Sequence, residues 1–221
     1  MVTGHIVPIA SIARRRSKAP AGRRERRRTE TRDRLFHAAL KLFAERGYQE
    51  TTVEAITEAA DVGKGTFFNY FPTKEHVLAT FGEERIAIIE RAVKAARSQS
   101  GPVLPVIMNL TTSLAGNFSE SAPLLRAIHA AHASCLPVRV ELQKRLRKAR
   151  RLMAEMFALA QQRSEVRRDL PAAEMARLTI LIFHGVTLSW ALIPDSGLRE
   201  TAESVWGLIG PALAPRQNDR G

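Results

Sequence analysis

Apolar residues recur along most of the chain at the spacing of amphipathic helices. The first such face carries Leu35, Ala39, Leu42 and Phe43, at i, i+4, i+7 and i+8. This pattern predicts a helix over about residues 30–46, with Gly47 placed to end it. Alternation with a period of two, which indicates a half-buried strand, does not extend over a strand's length anywhere in the chain. The sequence therefore predicts an all-α protein.

Two short helices and a long one are predicted to follow. Thr51 and Glu54 have the spacing of a capping box, which opens a first short helix. A tight turn at 61–63 leads into a second short helix, about 64–70, and Thr73 is placed to cap a long fourth helix. Two short helices joined by a tight turn and packed on a first helix form a helix-turn-helix.

The rest of the chain shows further apolar faces at helical spacing, separated by Pro, Gly, Asp or Ser. The predicted helices cover residues 105–118, 122–135, 138–163, 171–192 and 198–213. With the four helices before them, they give about nine helices. This composition predicts a C-terminal helical domain behind the helix-turn-helix.

The charge of the chain is strongly positive and unevenly distributed. The formal net charge is +12 and the pI is about 10.9, which favours a polyanionic partner. Residues 1–34 hold eleven Lys or Arg against three acids, whereas residues 35–80 hold four against six. The segment 1–28 lacks apolar periodicity and repels itself, so we expect a disordered basic arm.

Composition also narrows the class of protein. The apolar run 178–194 is interrupted by His184, Gly185 and polar hydroxyls, so a buried helix explains it better than a membrane span. The apolar residues 6–13 precede the arginines, which is the wrong order for a secretory signal. A single cysteine, Cys135, excludes an intramolecular disulfide. We expect a cytoplasmic protein without a membrane segment.

Many residues between about 29 and 80 match one family pattern at fixed spacing. They are Thr52, Val53, Ile56, Ala59, Val62, Gly65, Thr66, Phe67, Phe68, Tyr70, Phe71, Lys74, Glu75 and Leu78. This segment resembles the DNA-binding domain of the TetR family of bacterial transcriptional repressors. The resemblance implies a homodimer that binds a palindromic operator and is released by a small molecule. It divides the chain into an arm (1–28), a DNA-binding domain (29–80), a ligand-binding and dimerisation domain (81–214) and a disordered tail (215–221).

Candidate DNA contacts follow from helix ends and small residues. Hydroxyl and ammonium groups at helix N-termini suit phosphates, and Gly63 and Gly65 permit close approach to the major groove. Lys64 is the candidate for reading a guanine edge, its alternative being a solvated lysine. The predicted contacts are Thr52, Val53, Gly63, Lys64, Gly65, Thr66, Phe68, Asn69, Tyr70, Thr73 and Lys74, with Arg27, Arg28 and Arg32 from the arm region. Phe67 and Phe71 are expected in the domain core.

The chain departs from the family pattern at four positions, of which Thr57 replaces a usual alanine. Phe68 stands where a phosphate-contacting tyrosine is common, so that contact is missing or becomes apolar. Asp61 and Gly63 replace the usual Gly and Ser of the turn.

The C-terminal domain offers candidates for a ligand pocket. They are Met108, Phe118, His129, His132, Met153, Phe157, Phe183 and His184; residues of these types also form ordinary cores. His129, His132 and Cys135 share a helix face and could bind zinc with His184, but without a nearby carboxylate we predict neither metal nor cofactor. The last two helices, being the most apolar, are the predicted dimer interface.

Other functions remain open at this stage. The arginine-rich arm alone would suit an architectural or non-specific DNA binder, and the His/Cys group would suit a metal-dependent hydrolase. No catalytic motif recurs at a recognisable spacing, so we do not predict an enzyme. The sequence leaves open the operator, the effector and whether the response is repression or activation.

Overall fold

The computed structural model describes residues 22–116 and 121–216, and it confirms the all-α fold. Within these ranges there are nine α-helices and no strand. The helices are α1 (Arg23–Arg46), α2 (Val53–Ala59), α3 (Lys64–Phe68), α4 (Lys74–Ser98), α5 (Leu104–Gly116), α6 (Ala122–Ser134), α7 (Leu136–Gln162), α8 (Ala172–Leu192) and α9 (Leu198–Ile209), followed by a 3-10 turn (Pro211–Leu213).

The first helix begins at Arg23 and not near residue 30, so it is longer than the sequence pattern predicted. Residues 23–28, which we had assigned to a disordered arm, are helical, and that part of the prediction was wrong. Arginine has a high helix propensity, and Glu25 in the first turn complements the helix dipole. A charged segment can therefore prolong a helix whose buried face lies further on. The remainder of the arm, residues 1–21, lies outside the described residues.

A compact core of large side chains holds the N-terminal domain together. Leu35, Ile56 and Phe67 are fully buried, and Phe43 and Phe71 are 1% exposed. The rings of Phe67 and Phe71 lie 5.6 Å apart, so the prediction that both face the core is confirmed. Each buried aromatic removes a large apolar area from water, which is worth about 2 kcal/mol or more.

The capping residue of α2 differs by one position from the prediction. Thr52, not Thr51, is the N-cap, and its hydroxyl accepts a hydrogen bond from the Ala55 amide at 3.1 Å. Thr51 is buried, and its hydroxyl donates to the Gly47 carbonyl at 2.7 Å. Thr51 thus closes the turn that follows α1, which leaves Thr52 to begin the next helix.

The C-terminal domain is built around two long helix–helix contacts. The helix α4 packs along α7, and α7 packs along α8; α5 packs against α9, and α6 packs against both α1 and α8. The last helix ends at Ile209 rather than near residue 213, because Pro211 lacks the amide hydrogen and crowds the preceding turn.

The helix α8 is less buried than its apolar composition suggests. It is long and apolar enough to cross a membrane by length and composition, and 28% of its most apolar window is buried. Large apolar side chains are exposed on α8, just after it and on α9: Leu181, Leu188, Leu192, Ile193 and Leu208. An exposed apolar surface of this kind requires an explanation.

Candidate nucleic-acid interface and helix-lined cavity

The turn between α2 and α3 leaves open space around the glycines at the start of α3. Asp61 has φ of 50°, in the left-handed region that asparagine, aspartate and glycine tolerate best. Gly63 is the N-cap of α3 with an ordinary extended backbone. A Cβ atom at Gly63 or Gly65 would meet nothing within 4 Å. The chain's own packing therefore does not require glycine at either position.

The helix α3 separates its side chains into a core side and a solvent side. Phe67 is its buried residue, whereas Gly63, Lys64, Gly65 and Asn69 are exposed and Thr66 and Tyr70 are half-buried. Phe68 is 47% exposed, and its ring lies edge-on to that of Phe67 at 5.5 Å. The predicted contact residues of this segment are thus wholly or partly accessible to solvent.

Lys64 is engaged by a neighbour within the helix-turn-helix. Its ammonium donates to the Glu54 carboxylate across the two short helices, and this hydrogen bond holds the pKa of Glu54 below its ordinary value. Both side chains are exposed. A DNA base that takes a hydrogen bond from Lys64 therefore meets an ammonium that is already paired with Glu54.

Lys74 does not have the geometry predicted for a phosphate contact. Its ammonium donates to the carbonyls of Tyr48 at 2.8 Å, Thr51 at 2.9 Å and Gln49 at 3.3 Å. It also lies 4.4 Å from the centre of the Tyr48 ring. An ammonium has three donors, and all three are used within the domain. Lys74 therefore fixes the loop before α2, and the predicted contact through its side chain is corrected.

The other helix-end candidates remain at the surface. Thr52 is exposed and caps α2, and Val53 is half-buried at its first position. Thr73 is the N-cap of α4, but its hydroxyl is hydrogen-bonded to His76 Nδ1 at 3.0 Å and makes no bond to a backbone amide. The α4 amides at this end are thus not capped by Thr73.

The three arginines predicted from the arm lie on α1 in different surroundings. Arg27 and Arg28 are exposed on its first turns. Arg32 is half-buried, with its guanidinium 5.8 Å from the Phe71 ring centre and 3.8 Å from Asp33. Arg32 is therefore partly committed to the domain's own packing, whereas Arg27 and Arg28 are available to an outside partner.

A cavity of about 220 Å³ lies in the C-terminal domain between α4, α5, α6, α7 and α8. Of the predicted pocket residues, five line it: His129, His132, Met153, Phe183 and His184. Phe157 is fully buried in the core and Met108 is partly buried against it, and neither lines this cavity. Phe118 lies outside the described residues.

Two arginines in the cavity wall were missed from the sequence. Arg85 of α4 donates to the Leu114 carbonyl at 3.1 Å, and Arg145 of α7 donates to the Ala79 carbonyl at 3.2 Å. Burial lowers the pKa of Arg85 to about 10 and lowers that of Arg145. The signal for Arg85 was its place within the apolar spacing of α4, whereas Arg145 lies in the basic run 143–151, most of whose side chains are exposed.

Three imidazoles meet in the wall of the same cavity. The ring centres of His129 and His184 are 5.2 Å apart, and those of His129 and His132 are 6.3 Å apart. Burial, and secondarily the neighbouring charges, lowers the pKa of His129 and His132 to about 4. Burial also lowers the pKa of His184. All three are therefore neutral near pH 7.

The arrangement does not gather a metal-ligand set. In the described ranges, no group of three or more His, Cys, Asp or Glu side chains is placed to hold a metal ion. Cys135 is the C-cap of α6 and lies close enough to the Tyr48 hydroxyl to contribute to its raised pKa. Cys135 is not part of the cavity wall. The zinc alternative weighed from the sequence thus has no support in this geometry.

Instead, the end of α6 contacts the loop that precedes α2. Gln49 donates to the Ser134 hydroxyl at 2.9 Å, and the Tyr48 hydroxyl donates to Glu75 at 2.8 Å. Burial, and then the bond to Glu75, raises the pKa of Tyr48. The helix that carries His129 and His132 therefore abuts the loop that Lys74 holds.

Comparison with known proteins identifies relatives of both parts of the chain. A family profile described as bacterial regulatory proteins, tetR family, matches residues 35–80. The structure of Thermus thermophilus FadR, a TetR family transcriptional repressor in complex with lauroyl-CoA, is 30% identical with a TM-score of 0.61. That alignment covers 84% of this chain and 96% of the other.

Two curated proteins extend this picture. The transcriptional repressor DhaR of Mycobacterium sp. strain GP1 is 28% identical over 200 residues, covering 85% of this chain and 94% of that protein. The transcriptional regulator TcmR of Streptomyces glaucescens is 45% identical over 75 residues, so the match spans 34% of this chain and only 31% of TcmR. A SmeT–triclosan complex shares the fold at a TM-score of 0.72 with 19% identity.

Proposed function

The chain belongs to the TetR family of bacterial regulatory proteins and is a helix-turn-helix transcriptional regulator, and from this premise we propose that it is a homodimeric repressor of the cytoplasm. It would bind a palindromic operator through paired helix-turn-helix units and leave it when a small molecule fills the cavity. The observation that carries the proposal is the outward face of α3, where two glycines without packing partners flank an exposed lysine.

Sequence-specific contact is assigned to that face. Lys64 would leave Glu54 and donate to a guanine edge, while Thr66, Phe68, Asn69 and Tyr70 would contact the neighbouring backbone, sugar or thymine methyl groups. Thr52, Val53 and Thr73 would face phosphates at the helix ends. For Lys74 we retain only an indirect role, since its ammonium is occupied by three carbonyls.

The basic start of α1 supports non-specific affinity for the duplex. Arg27 and Arg28 are exposed on its first turns, and each phosphate they neutralise would add about 0.9 to the logarithmic salt slope. This contribution positions the protein without selecting a sequence.

The exposed apolar residues of α8 and α9 support dimerisation through these helices. Leu181 is 56% exposed, Leu192 64% and Leu208 80%, and Gly185 and Ser189 are exposed on α8. Small residues beside large apolar ones allow two helices to approach closely and interdigitate. A second copy would cover this surface by a two-fold arrangement of four helices.

Ligand occupancy would reach the DNA-binding domain through α6. His129 and His132 face the cavity on this helix, and its last residues contact Tyr48 and Gln49 in the loop before α2. A shift of α6 would therefore move the loop that positions the helix-turn-helix. Complexes of the relatives with lauroyl-CoA and triclosan support a cavity ligand of apolar character for this chain as well.

The proposal is tested by selecting bound duplexes from a random DNA library at about 150 mM salt, where attraction between exposed charges is largely screened. Enrichment of an inverted repeat is the expected result. If binding is non-specific and disappears when residues 1–28 are removed, the protein is an architectural binder that uses its basic arm, and the proposed function fails.

A further inference from the structure

The cavity has an unequal distribution of charge. Among the described residues, its wall includes two guanidinium groups, from Arg85 on α4 and Arg145 on α7, and no carboxylate. Glu141 and Glu83 are the acids whose charge acts on Arg145, but Glu141 is bound to Lys144 at 2.6 Å. Among the described residues, Arg145 makes one hydrogen bond, to the Ala79 carbonyl, and no ion pair. A guanidinium carries five N–H donors, so most of its capacity is left for a ligand.

Arg145 occupies the space that is left by the missing side chain of Gly82 on α4. A Cβ atom at Gly82 would overlap the guanidinium and its preceding carbon. Arg145 therefore packs against the backbone of α4 at Gly82 and Ala79, in the same wall as Arg85. This fixed position favours planar recognition of an oxyanion, for which arginine is better suited than lysine.

Two imidazole nitrogens add unused polar groups to the same cavity. His129 Nε2 and His132 Nδ1 are buried and have no hydrogen-bond partner. A buried polar atom without a partner is destabilising, so these atoms indicate a ligand that supplies one. Neutral imidazoles can donate to an oxygen without adding a second buried charge.

The remaining wall is apolar. Ile86, Ile89, Met153 and Phe183 are buried in the core and line the cavity. An engineered apolar cavity of ~150 Å³ holds benzene, so the volume of about 220 Å³ corresponds to about nine non-hydrogen atoms. The cavity thus joins a small oxygen-recognising region to a short apolar chamber.

We propose that the cavity binds a monocarboxylate of about eight carbon atoms in total, whose carboxylate accepts hydrogen bonds from Arg145 and the unpartnered imidazoles. This assignment rests on the proposed function, because it names the chemical class of the effector. Arg85 adds positive charge to the same wall. A neutral alcohol of equal length would fill the apolar chamber but would lack the charge-assisted hydrogen bonds.

The test compares octanoate with 1-octanol by calorimetric titration of the full chain at pH 7.5. The proposal predicts that octanoate binds at least about tenfold more tightly than 1-octanol, as expected for hydrogen bonds to a charged group. Arg145→Met should remove this preference and leave the affinity for 1-octanol within about threefold. Equal affinity of the parent protein for the two compounds, or no binding of octanoate, would overturn the proposal.

Arg147→Met is the matched control, because Arg147 is exposed on the same helix and does not line the cavity. It should change neither affinity. Gly82→Ala provides a second route to the same result if Arg145→Met does not fold, since the added methyl group displaces Arg145 without removing it. If Gly82→Ala or Arg145→Met weakens both compounds equally, the two residues shape the cavity and do not recognise a carboxylate.

The proposed ligand class and the proposed regulatory role are tested by separate measurements. Octanoate binding is measured without DNA, and release of the selected duplex is then measured at saturating octanoate. Binding with the predicted preference supports the ligand class even if the duplex is retained, in which case the effector mechanism is wrong. An inverted repeat without any preference for octanoate leaves the regulator intact and refutes the ligand class.

Discussion

Replacing Lys74 by methionine separates a structural role from a DNA contact. The substitution keeps the aliphatic stem but removes the ammonium that bridges the carbonyls of Tyr48, Gln49 and Thr51. These carbonyls belong to the loop that joins α1 to α2. The loop would lose its attachment to α4 and the contact of the ammonium with the Tyr48 ring.

The expected loss of stability follows from these contacts. Hydrogen bonds to a charged group contribute about 1.5–3 kcal/mol each when buried, and the contact with the ring adds up to about 1 kcal/mol. The 3.3 Å bond to Gln49 is weak and exposed, and water can reach part of the loop after the change. We therefore expect Lys74→Met to lower the free energy of unfolding by about 2–3 kcal/mol, which corresponds to a decrease in melting temperature of about 5–10 °C.

The assay combines thermal unfolding with the salt dependence of DNA binding. Lys41→Met is the control, because Lys41 is exposed and its pairing with Glu45 at 3.8 Å contributes little. Lys74→Met should lower the melting temperature and leave the logarithmic salt slope unchanged. A decrease of about one unit in that slope without any loss of stability would refute the reasoning, since it would make Lys74 a direct phosphate contact.

Three further predictions concern the other parts of the molecule. Leu192→Glu on α8 should dissociate the dimer in sedimentation experiments, whereas Leu136→Glu on α7, at nearly the same exposure, should not; equal effects would remove the assigned interface. His129 has a pKa of about 4 in the folded chain against 6.5 ordinarily, so the unfolded chain binds more protons and stability is lost as pH falls below about 6.5. His129→Gln should therefore reduce the pH dependence of the free energy of unfolding, measured in urea, between pH 6.5 and 4. An unchanged pH dependence would contradict the assigned pKa. Glu54→Gln should release Lys64 and strengthen binding to random DNA in band-shift titrations, and weaker binding would indicate that Glu54 itself contacts DNA.

The N-terminal domain could be predicted closely because local signals agree with its packing. The apolar spacing in α1 and the aromatic cluster at 67–71 identify the core. The predicted cap was wrong by one residue, because Thr51 and Thr52 are chemically equivalent and only the fold decides which hydroxyl turns back to Gly47. Lys74 was misassigned because the carbonyls that hold it are more than twenty residues away in sequence.

The cavity was less predictable for a related reason. His129, Met153 and Phe183 had the residue types of a pocket, but so did Phe157, which the structure buries in the core. Arg145 belongs to a basic run that is mostly solvated, and only the packing of α7 on α4 turns it towards Gly82. Tertiary contacts between distant helices therefore determine which polar residues face the cavity.

The most direct test of the regulator is a base-by-base affinity profile on the selected duplex, measured for the parent protein and Lys64→Ala, with Arg28→Ala as the control. We predict that Lys64→Ala loses preference at one base pair in each half of an inverted repeat, while Arg28→Ala weakens all sequences alike. Identical profiles for the parent and Lys64→Ala would contradict recognition of the operator through Lys64 on α3.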